Sequence, residues 1–463
     1  MNLVYNVKDK PSFGKILVFA LQQLLAILAA TIVVPVIING NTGAVGYTQS
    51  ALSPAAALFG AGAGTLVYLL FTRFKSPVFL GSSFAFLGSM TSAFAGAVSM
   101  QLGYFGLIVG CIFAGLVYVA IALVVKLVGT NWIDKVMPAV VIGPTVAIIG
   151  LSLAGNAIGD LKGSGWLGIL CGIVTLFVTI ICSVFGKKIV RMIPFIIGIG
   201  AGYLLATIFT VTGAAELVPF DKFNNIEWVP QMTFLQAIKF NQFTYGEFGN
   251  MGAYLASIAI AYIPVAFVVF AEHLADHKNL SSIIGSDLTK DPGLSNTLLG
   301  DGVGSMVGAF FGGAANTTYG ESIATVAISR NASTITILVT ALLAIVASFI
   351  GPFATLLATI PSCVMGGVCI ALYGFIAVSG LKMIQKVDLG DNRNLFVVST
   401  ILIAGVGGFV LNIGKVTLTA VAVALILGII VNVICSIGKE KKETEQVETE
   451  TSEAKEAEEP KEE

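Results

Sequence analysis

Charge is what this chain has least of: Asp, Glu, Lys and Arg make up only 11% of its 463 residues, while 56% are hydrophobic. Mean hydropathy is +0.92. So little polar surface cannot cover a soluble fold of this size, which excludes a soluble enzyme or binding domain and implies a polytopic membrane protein. The net charge is -1, with acidic residues crowded into the last two dozen positions and basic ones in short loops. That pattern leaves no footprint for nucleic acid. There are six cysteines, all inside apolar runs with no CxxC or other ligand spacing. They read as small buried hydrophobes, neither metal ligands nor a redox pair. No nucleophile and base occur at workable spacing, which argues against an enzyme. Residues 1–14 lack a cleavage site, and the apolar run that follows is long enough to span, so it reads as a retained first helix.

What is abundant is apolar sequence in runs of spanning length. Fourteen occur, at about 14–38, 51–72, 77–96, 103–127, 131–155, 164–186, 189–212, 251–277, 293–312, 316–329, 332–357, 361–379, 394–413 and 416–437. Two are poor helices: Gly81-Ser82-Ser83-Phe84 interrupts the third and Thr317-Thr318-Tyr319-Gly320 the tenth. Irregular backbone at membrane depth survives only where it lines a cavity or is buried in protein, so these two stretches are expected to meet at a binding site. With fourteen spans and both termini in the cytoplasm, most Lys and Arg, including Arg73, Lys75, Lys187, Lys188, Lys278, Arg330 and Arg393, fall in cytoplasmic loops. Only Lys162, Lys222, Lys239 and Lys415 fall outside.

A faint internal repeat supports this count. Pro138, Val141 and Gly143 recur as Pro361, Val364 and Gly366, and Ser82-Ser83-Phe84 as Thr317-Thr318-Tyr319, each pair seven spans apart. Because seven is odd, the second half enters the membrane inverted, the plan of secondary transporters with a midplane site at the repeat interface. Residues 213–250 read as an external connection, and 439–463 as a disordered acidic cytoplasmic tail.

Four acidic residues, Glu272, Asp276, Asp301 and Glu321, lie in or beside segments otherwise built for lipid. Ionisable groups at that depth usually face a bundle interior and mark a substrate or ion path. Glu272 and Asp276 are four apart and share one helix face, unless the helix ends before them and leaves them in water. Burial disfavours the charged form of a carboxyl, making all four candidates for proton binding. Tyr319 and Phe84 offer flat faces, and amides near Gly320 and Phe84 offer donors, so a planar solute with alternating N–H and C=O groups would suit the site. His273 and His277 could in principle hold a metal, but Glu-His-Leu-Ala-Asp-His is not the His-Glu-x-x-His pattern and no third ligand is spaced for it, so no metal and no cofactor is expected. His277, next to Lys278, is expected at the cytoplasmic surface as a solvated side chain.

Leu28-Ala-Ala-Thr-Ile-Val-Val-Pro35, Leu80-Gly-Ser-Ser-Phe-Ala-Phe86, Ala271-Glu272-His273, Asp291-Pro292-Gly293, Asn316-Thr-Thr-Tyr-Gly-Glu321 and Val364-Met365-Gly366-Gly367 leading to Tyr373 occur in order along the chain. With them the chain resembles the nucleobase-ascorbate transporter family, and within it the bacterial uracil:proton symporters. The resemblance implies an all-α membrane fold of fourteen segments in two seven-segment inverted repeats, with short antiparallel strands in segments 3 and 10. It implies a core domain (1–130 and 251–358), a gate domain (131–212 and 359–438), a homodimer, and a multi-pass place in the bacterial cytoplasmic membrane. Glu272 and Glu321 would hydrogen-bond the uracil ring, the backbone at Phe84 and Gly320 would meet its carbonyls, and Ala30, Tyr319 and Tyr373 would pack against it. The sequence departs from the family's pattern in three places. Asp276 stands where histidine is frequent, Gln22-Gln23 stands for a Gln-His pair, and Ser322, Ala324 and Ser329 stand for Asn, Gly and Thr. The first moves proton coupling toward carboxylates, Asp276 with Glu272 and Glu321, and the last leaves a purine (xanthine-type) symporter as an alternative. An anion exchanger or channel of the same architecture is a further alternative, although carboxylates at the site would repel anions.

Overall fold

The computed structural model describes residues 3–44, 52–97, 99–187, 189–238, 251–413 and 416–436. Lys188, Lys239, Lys415, the end of the external connection and the acidic tail lie outside the described residues. Helices α1 (Phe13–Ala44) and α2 (Pro54–Phe71) open the chain, the latter capped by Ser53, whose hydroxyl accepts from the Ala56 amide. Strand β1 (Leu80–Ser82) and the short helix α3 (Leu87–Ala95) follow, then α4 (Met100–Val128). The fifth apolar run is broken at Met137-Pro138, since proline disfavours helical backbone in the residue before it. It becomes α5 (Asn131–Val136) and α6 (Ala139–Ser152). Helices α7 (Ala154–Lys162), α8 (Gly165–Phe185), α9 (Ile189–Met192) and α10 (Pro194–Val211) complete the first half.

The connection carries a 3-10 turn, Phe220–Asn224, and α11 (Thr233–Ala237). Then come α12 (Met251–Ile284), α13 (Leu294–Gly312), β2 (Asn316–Thr318), α14 (Gly320–Ser329), α15 (Thr334–Ser348), α16 (Gly351–Ala358), α17 (Ser362–Ile384) and α18 (Asn392–Val406). A hairpin, β3 (Leu411–Ile413) and β4 (Val416–Leu418), leads to α19 (Ala420–Ser436). Among the described residues, eight helices are long and apolar enough to span a membrane, nine if the bent pair α15 and α16 counts as one. The remaining apolar runs form shorter or broken helices, because glycine, proline and the two strands interrupt them.

Helices α1, α2, α4, α12, α13 and α15 pack on one another, and so do α6, α7, α8, α10, α17 and α18. The tightest contact in the first group is α2 against α13. A Cβ built on Gly60 would lie 2.4 Å from the Gly308 carbonyl oxygen, one on Gly64 2.6 Å from that of Gly304, and one on Gly312 2.6 Å from that of Ala56. Glycines four apart on both helices let the backbones touch, the usual route to close packing where lipid removes the hydrophobic drive between helices. The Asn316 side chain reaches into this seam, its Nδ2 donating to the Gly60 carbonyl at 3.1 Å. Gly308→Ala would place a Cβ 2.1 Å from that Nδ2. The expected result is a loss of roughly 1–3 kcal/mol of stability by overpacking, read as a lower thermal midpoint in detergent. Gly200→Ala, with nothing within 4 Å of its Cβ, is expected to leave the midpoint unchanged.

Strands β1 and β2 pair antiparallel, with Leu80 opposite Thr318, Gly81 opposite Thr317 and Ser82 opposite Asn316. All six are buried. Gly313 (φ 76°) ends α13 in a left-handed turn, and a Cβ there would collide with Leu52 and Thr233, so glycine alone can turn the chain into β2 at this place. Buried backbone polar groups without partners are costly, and neighbouring side chains serve the ends of this two-stranded ladder. Thr65 Oγ1 accepts from the Leu80 amide at 2.9 Å, Ser305 Oγ from the Asn316 amide at 3.0 Å and Ser322 Oγ from the Phe79 amide at 3.0 Å.

Candidate substrate site

The two irregular stretches meet as the sequence predicts, and the strand crossing carries the named residues. Tyr319 follows β2 directly and lies across Gly81: a Cβ at position 81 would sit 2.3 Å from the tyrosine ring. Its hydroxyl donates to the Ser82 carbonyl at 2.9 Å, so a residue offered by the sequence as a stacking face is also a clamp on β1. Phe84 leaves β1 toward α17 and meets Tyr373 edge to face, ring centroids 5.5 Å apart. This contact joins the strand crossing to the second packing group. Ala30, on α1, is fully buried.

Gly320 opens α14, is exposed, and would have nothing within 4 Å of an added Cβ. Beside it, Glu321 lies in the first turn, where helix geometry leaves backbone N–H groups without intrahelical partners and favours negative charge. Glu272 and Asp276 lie well inside α12, which runs on to Ile284, so neither sits beyond a helix end in water. Both are half-buried, as is Glu321. The three carboxylates differ in one respect. Asp276 Oδ2 accepts a hydrogen bond from Thr318 Oγ1 at 2.7 Å, tying α12 to β2. Among the described residues, no side chain donates to the carboxylate of Glu272 or Glu321, and that of Glu321 meets only its own backbone amide. Two half-buried carboxylates with unused acceptor capacity, beside the open backbone of Gly320, are free to bind donors that come from outside the chain.

Asp301, on α13, is not part of that face. It is fully buried and its Oδ2 lies 2.7 Å from His273 Nδ1. The other ring nitrogen, Nε2, lies 3.1 Å from Thr297 Oγ1, which donates to the Leu294 carbonyl at 3.0 Å. His277 corrects the sequence reading. Instead of standing in water beside Lys278 it is 1% exposed, because α12 continues beyond it and turns this face inward, toward Tyr68 of α2. Its Nδ1 is 2.8 Å from the carbonyl of His273 and must donate, so in the neutral ring Nε2 accepts from the Tyr68 hydroxyl at 2.7 Å. Tyr68 in turn meets Ser76 Oγ at 2.7 Å. The two imidazoles stack with centroids 3.9 Å apart, and all four ring nitrogens are engaged in hydrogen bonds.

Gln23 contributes in a way sequence reasoning missed. Its Nε2 donates to Ser322 Oγ at 2.5 Å and to the Ser322 carbonyl at 3.2 Å. Two departures from the family's pattern, glutamine in the first helix and serine after Glu321, are thus one bonded pair that fastens α14 to α1. Ser322 also serves the Phe79 amide, so the pair holds both strand-bearing segments.

The Xan_ur_permease family, described as "Permease family", matches residues 14–414. The uracil permease of Bacillus caldolyticus is 37% identical over 441 residues, covering 93% of this chain and 94% of that one. The uracil permease of Escherichia coli K12 is 34% identical over 432 residues, covering 91% and 92%. Among solved structures, the transmembrane domain of a cyanobacterial bicarbonate transporter, BicA, is similar with a TM-score of 0.59 at 16% identity, covering 92% of this chain and all of that domain. The murine Solute Carrier 26 family member A9 anion transporter is similar with a TM-score of 0.63 at 11% identity, covering 93% and 69%. At such identities the structures establish a membrane-transporter fold and nothing about cargo. The matching motifs, the residues matched and the relatives make one statement: this chain belongs to the nucleobase-ascorbate transporter permease family, and is a transporter, not an enzyme.

Proposed function

We propose that this permease imports uracil across the bacterial cytoplasmic membrane by proton symport. The observation that carries the reading is the pair of half-buried carboxylates, Glu272 and Glu321, to which no side chain among the described residues donates, next to the open backbone of Gly320. Uracil presents two ring N–H donors and two carbonyl acceptors. The carboxylates accept the former and the amides at Phe84 and Gly320 donate to the latter, while Ala30, Tyr319 and the Phe84–Tyr373 pair bound the ring. The same carboxylates repel anions, which sets this site apart from the anion transporters of similar fold. Uracil permeases among the relatives support the cargo.

The proton is assigned to the acids. Thr297 spends its hydroxyl proton on Leu294, so it accepts from His273 Nε2–H, and the short His273–Asp301 contact then needs one further proton, held by the ring or the carboxyl. That buried pair is neutral overall and serves as a proton reservoir behind Glu272 and Asp276. Fourteen segments in two inverted repeats, both termini in the cytoplasm, and a homodimer complete the proposal. The first packing group corresponds to a core domain (1–130 and 251–358) and the second to a gate domain (131–212 and 359–438) that rock against each other at the Phe84–Tyr373 contact.

Labelled uracil uptake in proteoliposomes tests both halves of the proposal. Uptake is expected to follow an imposed proton gradient, to collapse with a protonophore, and to be unaffected when choline replaces sodium. Uptake that survives the protonophore and stops without sodium would overturn the coupling ion. Competition by a panel of nucleobases tests the cargo: uracil is expected to compete best, and stronger competition by xanthine would move the assignment to a purine.

A further inference from the structure

We infer that the groove between the N-terminal segment and the first turns of α1 binds an anionic phospholipid, its phosphodiester at Lys15 and its upper acyl chain along Val18. The groove lies away from the substrate site and has its own architecture. The segment ahead of α1 is strapped onto the α14–α15 connection: the amides of Val4 and Tyr5 donate to the Arg330 carbonyl (2.8 and 3.2 Å), Ala332 N donates to the Tyr5 carbonyl (2.9 Å), and Thr334 N to that of Val7 (3.1 Å). Held there, it borders with α1 an open groove of about 360 Å³ lined by Val4, Tyr5, Gly14, Lys15, Val18 and Phe19. That volume is in the range of small-ligand sites.

The lining is polar at one end and apolar at the other, as a lipid is. Lys15 Nζ donates to the Tyr5 hydroxyl at 3.1 Å and stands 5.8 Å from the centre of that ring. The Tyr5 and Phe19 rings meet edge to face at 6.0 Å. Val18 is 52% exposed and Leu21, one turn on, 49%, so the apolar floor continues along the outer face of a spanning helix, where acyl chains lie. Lys15 sits in the first turn of that helix, at the depth of head groups.

Charge selects the occupant. Lys8, Lys10 and Lys15 are all exposed, and among the described residues none of them has a carboxylate within ion-pair distance. Asp9, between them, already accepts from the Asn6 amide at 2.7 Å. Three ammonium groups against the single carboxylate of Asp9 leave a net positive charge at a leaflet surface, which attracts anionic over zwitterionic lipid. A free phosphate would satisfy Lys15 but leave the apolar floor in water, whereas a phospholipid covers both ends.

Native mass spectrometry of the detergent-solubilised full chain, titrated with phosphatidylglycerol or phosphatidylethanolamine of matched acyl chains, tests this. Wild type is expected to retain phosphatidylglycerol in preference. Lys15→Glu is expected to lower that retention roughly ten-fold or more through the reversed charge. Val18→Trp, which fills the apolar end and keeps every charge, is expected to lower it as well, and added inorganic phosphate to leave it unchanged. Equal retention of the two lipids, wild-type retention by either variant, or displacement by inorganic phosphate would each overturn the assignment. The thermal midpoints of both variants, taken without lipid, separate a lost site from a lost fold.

Discussion

Glu272→Gln is expected to weaken uracil binding by about ten-fold or more and so to abolish transport at low substrate concentration. The Glu272 carboxylate accepts no hydrogen bond among the described residues, so the substitution breaks none inside the protein. Glutamine has the same length and fits the same half-buried position on α12. The change falls on the ligand instead. Where a carboxylate offers two acceptor oxygens to a ring N–H, an amide offers one acceptor and a donor group, and a donor facing a donor is repulsive. A charge-assisted hydrogen bond is worth roughly 1.5–3 kcal/mol, which is about ten-fold to more than a hundred-fold in affinity. Calorimetric titration of the purified variant with uracil measures this directly, with an unchanged thermal midpoint as the check on folding. Wild-type affinity would remove Glu272 from the site.

How much of this was legible in the sequence follows from the kind of signal each feature leaves. Apolar runs are local, so every helix long enough to span the membrane overlaps one of them, although Ala139–Lys162 is shifted by about two turns from the run at 131–155 and Met251–Ile284 runs past 277. Broken runs are also local: Gly81-Ser82-Ser83 and Thr317-Thr318-Tyr319 read as poor helix, and they pair as β1 and β2. Long-range polar contacts leave no such trace. The Gln23–Ser322 bond spans 299 positions and the Tyr68–His277 bond 209, and although Gln23, Ser322 and His277 each stand out in the sequence, nothing there pairs them with their partners.

His277 shows how a local argument fails. Placing it by the charge of Lys278 treats neighbours as sharing an environment, but consecutive residues on a helix point about 100° apart. Lys278 is exposed and His277 buried on the same turn of α12. The face-sharing argument for Glu272 and Asp276 respects that geometry, and both lie half-buried within one helix. Sequence could not say that Thr318 engages Asp276 and leaves Glu272 unpartnered, since that depends on where β2 crosses α12.

That difference shapes the second large effect. Asp276→Asn is expected to abolish uphill accumulation of uracil while leaving exchange of internal for external uracil intact. Asparagine keeps a carbonyl oxygen that can accept from Thr318 Oγ1, so the tie between α12 and β2 survives and the strand crossing stays in place. The proposed ring contacts at Glu272 and Glu321 also survive, and binding is expected to change by less than about three-fold, the scale of a surface-type substitution. What is lost is a titratable acid one helical turn from Glu272. Two carboxyls that close on one face do not ionise independently, and the pair takes up a proton more readily than either alone. With an amide in place of Asp276 the shared proton has no second site, and substrate movement is no longer tied to the proton gradient. Exchange needs no net proton movement and continues. Thr318→Val separates the two roles of the aspartate: it removes the tie to β2 and keeps the acid, so it is expected to lower the thermal midpoint yet still accumulate uracil in proportion to the protein that remains folded. Accumulation and exchange measured side by side in the same vesicles decide the matter, and gradient-driven accumulation by Asp276→Asn at the wild-type level would place the coupling proton on other groups, with the His273–Asp301 pair the first to examine.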